Sequence, residues 1–298
     1  EPVHPAEYGC TFFTRKIDKG DSEIRAEVEI EQEAVNTSDE KVRLRIKSLL
    51  IDREDNEAAV LEGERELAAG ETAKIPLCGE VRKASLWSPD DPYLYRMQTW
   101  YQVDQGEEYL VQEQKVGIRT IEFRPQEGFF LNGTSTKMKG VCVHHDGGCL
   151  GAAMKPEIWQ RRLMLLKDCG CNAIRCSHNP HMPELYDLCD AMGFLVMDEA
   201  FDEWENPKNK WSTGHNVYPP KHQGYYEDFP QWHDKDLRAM VRRDRNHPCV
   251  ILWSIGNEID YPNDPYCHPM FETMTGNNDA NKPEAERRYD SDKPNMER

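Results

Sequence analysis

The feature that most constrains this 298-residue chain is a change in the period of its hydrophobic pattern near residue 121. Before that point apolar and polar residues alternate, as in Ile24, Ala26, Val28 and Ile30 and again in Val42, Leu44 and Ile46. A period of two is a strand that buries one face. Turn residues at Asn36 to Asp39, Asp52 to Asn56, Ala69-Gly70 and Ser88 to Pro92 cut this stretch into several such strands. The pattern predicts an antiparallel sandwich of the immunoglobulin type over residues 1–121.

Beyond it, Phe129-Phe130-Leu131 runs into Asn132-Gly133, a pair suited to the positive φ angles of a tight hairpin turn. Strand-like and helical runs then alternate. Met138 to His144 precedes Pro156 to Cys169, Ala173 to Cys176 precedes Pro183 to Met192, Phe194 to Met197 precedes Leu237 to Arg243, and Val250 to Ile255 closes the series. Leu185, Leu188, Cys189 and Met192 fall on one helical stripe. Such repetition predicts parallel strands joined by right-handed crossovers.

Composition narrows the function. A net charge of −17 and a pI near 5.1 argue against nucleic-acid partners, which need clustered Lys and Arg. No apolar run is long enough to span a bilayer and no signal peptide opens the chain, so it reads as soluble and without a membrane partner. The compartment stays open, because an export signal of a longer parent would lie upstream. The ten cysteines contain no C-x-x-C pair, and those in the apolar runs, Cys142, Cys176, Cys249, Cys169, Cys171 and Cys189, are expected to be buried thiols.

Chemistry in a parallel β/α sheet gathers where the strands end. Those ends read His144-His145-Asp146, Ser177-His178-Asn179-Pro180, Asp198-Glu199-Ala200 and Gly256-Asn257-Glu258. Glu258 is the best-placed proton donor for cleaving a glycosidic bond, a reaction whose retaining form needs a second carboxylate roughly 5 Å away. Its neighbour Asn257 offers an amide donor and acceptor to a sugar hydroxyl. Trp204 could stack on a sugar face, or equally cover the core. A second reading, zinc held by His144, His145, Asp146, His178 and His181, rests on weak loop spacings.

Asn246-His247-Pro248 followed by Trp253 to Glu258, together with Asn172 to Pro180, resembles signature segments of glycoside hydrolase family 2, the β-galactosidase and β-glucuronidase family. Gly140-Val141 with His144, Asp187 to Asp190 before Gly193, and Asp198-Glu199-Ala200 are also similar. So are Leu86-Trp87-Ser88-Pro89, Pro92 to Tyr95 and Val116 to Arg119 in the β half. The resemblance implies that Glu258 is the general acid/base, that Asn257 holds the sugar's 2-hydroxyl, and that Arg175, His144 and His178 line the glycone pocket. Asp198 and Glu199 would touch substrate or fix Arg175. Family members with a magnesium site take a His from the segment that here reads Phe201-Asp202-Glu203-Trp204-Glu205; a carboxylate stands in its place, and no metal is assigned.

The resemblance also makes residues 122–298 the N-terminal part of a TIM (β/α)8 barrel, truncated after the fourth strand, since a whole barrel needs about 250 residues and eight strands. The nucleophile, another Glu in the family, would lie beyond the chain, and a jelly-roll domain before it. The expected function is a retaining β-glycosidase, β-galactosidase-like, acting on terminal β-linked sugars, with the chain alone inactive. The alternative is a carbohydrate-binding or scaffold module without hydrolysis. A half-barrel exposes strand edges that invite pairing with a second copy. Light scattering should therefore find dimers or larger species at high concentration; a stable monomer would remove this expectation.

Overall fold

The computed structural model describes residues 1–204, 211–213, 215–216 and 224–259. Seven antiparallel strands come first: β1 (Val3–Lys19), β2 (Ile24–Asn36), β3 (Val42–Ile51), β4 (Glu57–Leu67), β5 (Thr72–Arg82), β6 (Tyr95–Val103) and β7 (Tyr109–Val116). They form two sheets, ordered β1-β2-β5 and β4-β3-β6-β7. The alternation read from sequence is what closes them: Ala26, Val28 and Ile30 from one sheet meet Leu44, Ile46 and Leu50 from the other in one buried core. Each such side chain contributes about 1.5–3 kcal/mol by leaving water. The result is the immunoglobulin-like sandwich that the pattern predicts.

A small meander of β8 (Ile121–Arg124), β9 (Gly128–Leu131) and β10 (Thr134–Ser135) follows, with the Asn132-Gly133 turn at positive φ as expected. The second half is a parallel sheet ordered β11 (Gly140–His144), β12 (Ala173–Ser177), β13 (Leu195–Glu199) and β16 (Val250–Ser254). Helices α1 (Pro156–Asp168), α2 (Pro183–Met192) and α3 (Phe229–Asp244) connect these strands, and a short hairpin of β14 (Trp211–Thr213) and β15 (His215–Asn216) lies before α3. This is the start of a TIM barrel. Helix α3 begins well before Leu237, because its first two turns carry Gln231, His233, Asp234, Lys235 and Asp236 and show little apolar stripe; Pro230 near its start suits a helix entry. None of the described helices is long and apolar enough to cross a membrane.

The cysteine expectation needs correcting in two places. Cys176, Cys189 and Cys249 are buried, whereas Cys142 and Cys169 are exposed. Cys142 lies on β11, an outer strand of the described sheet, and Cys169 caps α1.

The two halves are stitched by residues that also stand in the sequence signatures. The buried Trp87 indole donates to the Asp190 carbonyl at the end of α2 (2.9 Å), while the Asp190 carboxylate accepts from His247 (2.6 Å) and from the Cys249 amide (3.0 Å). Arg119 donates to the carbonyls of Pro248 and Val250, both at 2.8 Å. Gly117 is required where it stands, since a Cβ there would lie 2.6 Å from the Pro248 ring. Asn246 accepts from the Phe12 amide (2.9 Å) and donates to the Cys10 carbonyl (2.9 Å) and to Gln114 (3.2 Å). Replacing Asn246 by Ala strands these β1 groups, each at about 1–3 kcal/mol. Asn246→Ala should therefore lose ~2–4 kcal/mol in urea unfolding; an unchanged midpoint would show that the seam does not depend on this amide.

Candidate active site

The site is built around one carboxylate. Successive strand residues face opposite sides of a sheet, so Asp198 and Glu199 at the end of β13 part company. Glu199 turns inward and is only 1% exposed. One of its oxygens accepts from Arg175 Nε (2.9 Å) and Ser254 Oγ (2.8 Å), the other from Arg175 Nη2 (3.0 Å) and His178 Nδ1 (2.6 Å). Four donors on one buried carboxylate repay its desolvation. Because Nδ1 meets a carboxylate it must carry the proton, which fixes the His178 tautomer.

Arg175 carries the order onward. Burial works against its charge, but the hydrogen bonds and charge of Glu199, with a smaller contribution from Cys142, outweigh it and raise its pKa above the ordinary value. Its Nη2 also donates to Asn257 Oδ1 at 2.9 Å. The Asn257 backbone donates to the Phe201 carbonyl (2.9 Å) and its side-chain amide to Asp202 (3.3 Å), so the residue before Glu258 is held on both sides. His144, from the end of β11, meets His178 edge to face with ring centroids 5.3 Å apart. Glu258 itself is exposed and has φ of 47°, a left-handed conformation rare for a residue with a Cβ, of the kind that persists where surrounding structure enforces it.

Arg175, His178, Glu199 and Asn257 thus come together in one bonded cluster, with His144 against it and Glu258 next in chain. Two expected substrate contacts fall elsewhere. Asp198 is 0% exposed on the opposite side of the strand, bonded to Tyr186 Oη at 2.6 Å, which does not suit contact with a sugar. Burial and the nearby Asp244 carboxylate push the Asp198 pKa well up, against the lowering effect of Tyr186. Trp204 is only half-exposed: its indole donates to the Ile255 carbonyl (3.0 Å), its ring stacks on Phe229, and a Cβ at Gly256 would come within 2.8 Å of its nitrogen. It packs on Phe229 and against the backbone at Ile255 and Gly256, the covering role that the sequence left equally open. Sequence reading missed Ser254 and Asp202 as partners of Glu199 and Asn257. The spacing of Leu252 and Ser254 on one strand face was the available signal for the first.

The metal alternatives fare differently. Of the magnesium segment, Glu203 is buried and Glu205 lies outside the described residues. Among the described residues no three His, Cys, Asp or Glu side chains converge as ligands. His145 and His181 pack against each other and Trp159. Burial lowers the His181 pKa to about 4, against a hydrogen bond to the Asn179 carbonyl that favours the charged ring. In the unfolded chain that imidazole titrates near ~6.5. As pH falls from there towards 4 the unfolded state gains a proton that the native state refuses, so stability complete above the unfolded value drains away across this window, by up to roughly 3 kcal/mol. His181→Phe should flatten the fall in urea midpoint between pH 7 and pH 4.5; parallel curves for the two proteins would refute this assignment.

The family model described as "Glycosyl hydrolases family 2" matches residues 11–119, and "Glycosyl hydrolases family 2, TIM barrel domain" matches residues 121–284. A curated beta-galactosidase of Bacteroides ovatus is 42% identical over 259 residues, 87% of this chain and 28% of the relative. A solved glycosyl hydrolase family 2 member from Bacteroides cellulosilyticus superposes with TM-score 0.76 at 37% identity, covering 87% of this chain and 31% of that one. A beta-glycosidase from Bacteroides vulgatus gives 0.71 at 33% identity, covering 90% of this chain and 32% of its own. The chain therefore spans under a third of the length of these relatives.

Proposed function

Because the chain belongs to glycoside hydrolase family 2, we propose that it supplies the acid/base half of a retaining β-glycosidase site, in a protein that cleaves terminal β-linked sugars and is β-galactosidase-like. The observation that carries this reading is the bonded cluster of Glu199, Arg175, His178 and Asn257 immediately before an exposed carboxylate at a strand end.

Glu258 first gives its proton to the leaving oxygen and then, as carboxylate, takes one from the attacking water. Asn257 spends one lone pair on Arg175 and one N–H on Asp202, which leaves one of each for the sugar's 2-hydroxyl. His178, with Nδ1 committed to Glu199, has Nε2 for a second hydroxyl, and His144 borders the same space. Glu199 acts through these groups as a positioning residue. The nucleophilic carboxylate is proposed to come from a segment of the whole protein outside these 298 residues, and the chain alone to be inactive. Self-association through the outer strands is proposed too, supported by exposed Val141 and Ile255 on them or beside them.

In the whole protein, Glu258→Gln should cut kcat/KM on a phenyl β-galactoside by about 10²–10⁴-fold. The loss should be much smaller on the 2,4-dinitrophenyl galactoside, whose leaving group needs no proton. Equal losses on both would remove Glu258 from the acid role. Binding of galactosides with no turnover in the unmutated whole protein would favour the non-hydrolytic module.

A further inference from the structure

A cleft of 610 Å³ lies along the seam between sandwich and barrel, and none of the catalytic cluster lines it. Its walls include Lys74, Arg119 and Arg245 but only one carboxylate, Glu31, which pairs with Lys74 at 2.6 Å. His247 at its edge already has Asp190 as counter-ion. Among the described residues Arg119 bonds to the two main-chain carbonyls of the seam and to Thr14 Oγ1 through its amide, and Arg245 donates to the Tyr8 carbonyl. Neither guanidinium has a carboxylate in ion-pair contact among the described residues. Burial accordingly lowers both pKa values, although each stays charged in any ordinary solution.

Two polar atoms in the same lining are left over. Thr11 is 6% exposed and its hydroxyl is buried without a hydrogen-bond partner among the described residues, as is Arg245 Nε. Buried donors beside guanidinium groups without a carboxylate in direct contact are what an oxyanion satisfies, since its oxygens accept several hydrogen bonds while its charge offsets theirs. The Lys74 ammonium can also turn to such a guest, being more than half exposed.

We propose that this cleft is a binding site for a tetrahedral oxyanion, either the free ion or the phosphate or sulfate ester of a sugar. The volume favours more than the ion alone, given that a water molecule occupies about 30 Å³ and an inorganic oxyanion a few times that. The site needs both halves of the chain: Thr11 and Lys74 come from the sandwich, Arg245 from the end of α3, and Arg119 from the link between them. An occupant would therefore stabilise their docking. It is independent of the glycosidase reading, because no residue is shared.

Titration calorimetry on the 298-residue chain with inorganic phosphate, inorganic sulfate, glucose 6-phosphate and glucose tests the proposal, alongside thermal unfolding in phosphate and chloride at matched ionic strength. The anions should bind and glucose should not, and phosphate should raise the unfolding temperature above chloride. A sugar ester that binds at least about tenfold tighter than the free ions identifies the ester as the ligand, and equal affinities identify the ion. Thr11→Val and Lys74→Met should each weaken binding by about tenfold or more. Thr11→Val should leave stability in chloride intact, since a methyl replaces an unpaired hydroxyl. Anions that bind no better than glucose, or affinity unchanged in both variants, would overturn the site.

Discussion

The buried carboxylate of Glu199 is the point on which the candidate site depends. An ionised group in a dry interior is tolerated only with several charge-assisted hydrogen bonds, and here Arg175, His178 and Ser254 supply them from strands on either side. The consequence runs outward in one direction. Arg175, held in the plane of Glu199, presents its remaining edge to Asn257, and Asn257 fixes the backbone that turns into Glu258. The donor set, the histidine tautomer and the position of the last turn are thus one linked decision. Removing the carboxylate would leave a guanidinium and an imidazole without their common partner and loosen the Arg175 side chain that ties β12 to Asn257.

The strand that leads to Glu258 is anchored at its other end by the sandwich. Arg119 grips the carbonyls of Pro248 and Val250 as β16 begins, Asn246 replaces a missing strand partner for β1, and Trp87 plugs the space beneath α2. These residues sit in the segments that mark the family, yet they touch no reacting group. Their shared task is to set where β16 starts. Since the strand is only five residues long, its start and its polar end move together. Family signatures of this kind mix assembly with chemistry, and only the geometry separates Asn246 from Asn257.

How much of this was legible in sequence follows from how local each cause is. The switch from period two to alternating strand and helix announced both halves, because burial of one face dictates the spacing of Ile24 to Ile30 and of Leu185 to Met192 directly. Polar strand ends pointed to His178, Asn257 and Glu258 by placement, whereas Arg175 came only from the family resemblance. Asp198 was the limit of that approach. It adjoins Glu199 in sequence, and only the facing of the strand sends one to Arg175 and the other to Tyr186. The early turns of α3 were hidden for a related reason: a helix lying half on the surface needs no apolar stripe there. Trp204 and Cys142 depend on what packs above them, which no short window of sequence contains.

The backbone around Glu258 shows why that carboxylate stands where it does. A strand that simply continued past Ser254 would alternate its side chains between lumen and helix layer, and a carboxylate could reach the open end only by chance of register. Here Gly256 admits the Trp204 indole against the main chain, Asn257 is tied to Phe201 and Asp202, and the next residue is driven to positive φ. That conformation is costly for glutamate, on the order of 1 kcal/mol or more. The surrounding bonds must supply that energy, and they do so through contacts made by its neighbours in the chain. The strained backbone and its buried neighbours fix where the Glu258 carboxylate leaves the main chain, and a fixed origin is the condition under which a group acting on a bound molecule gains from position.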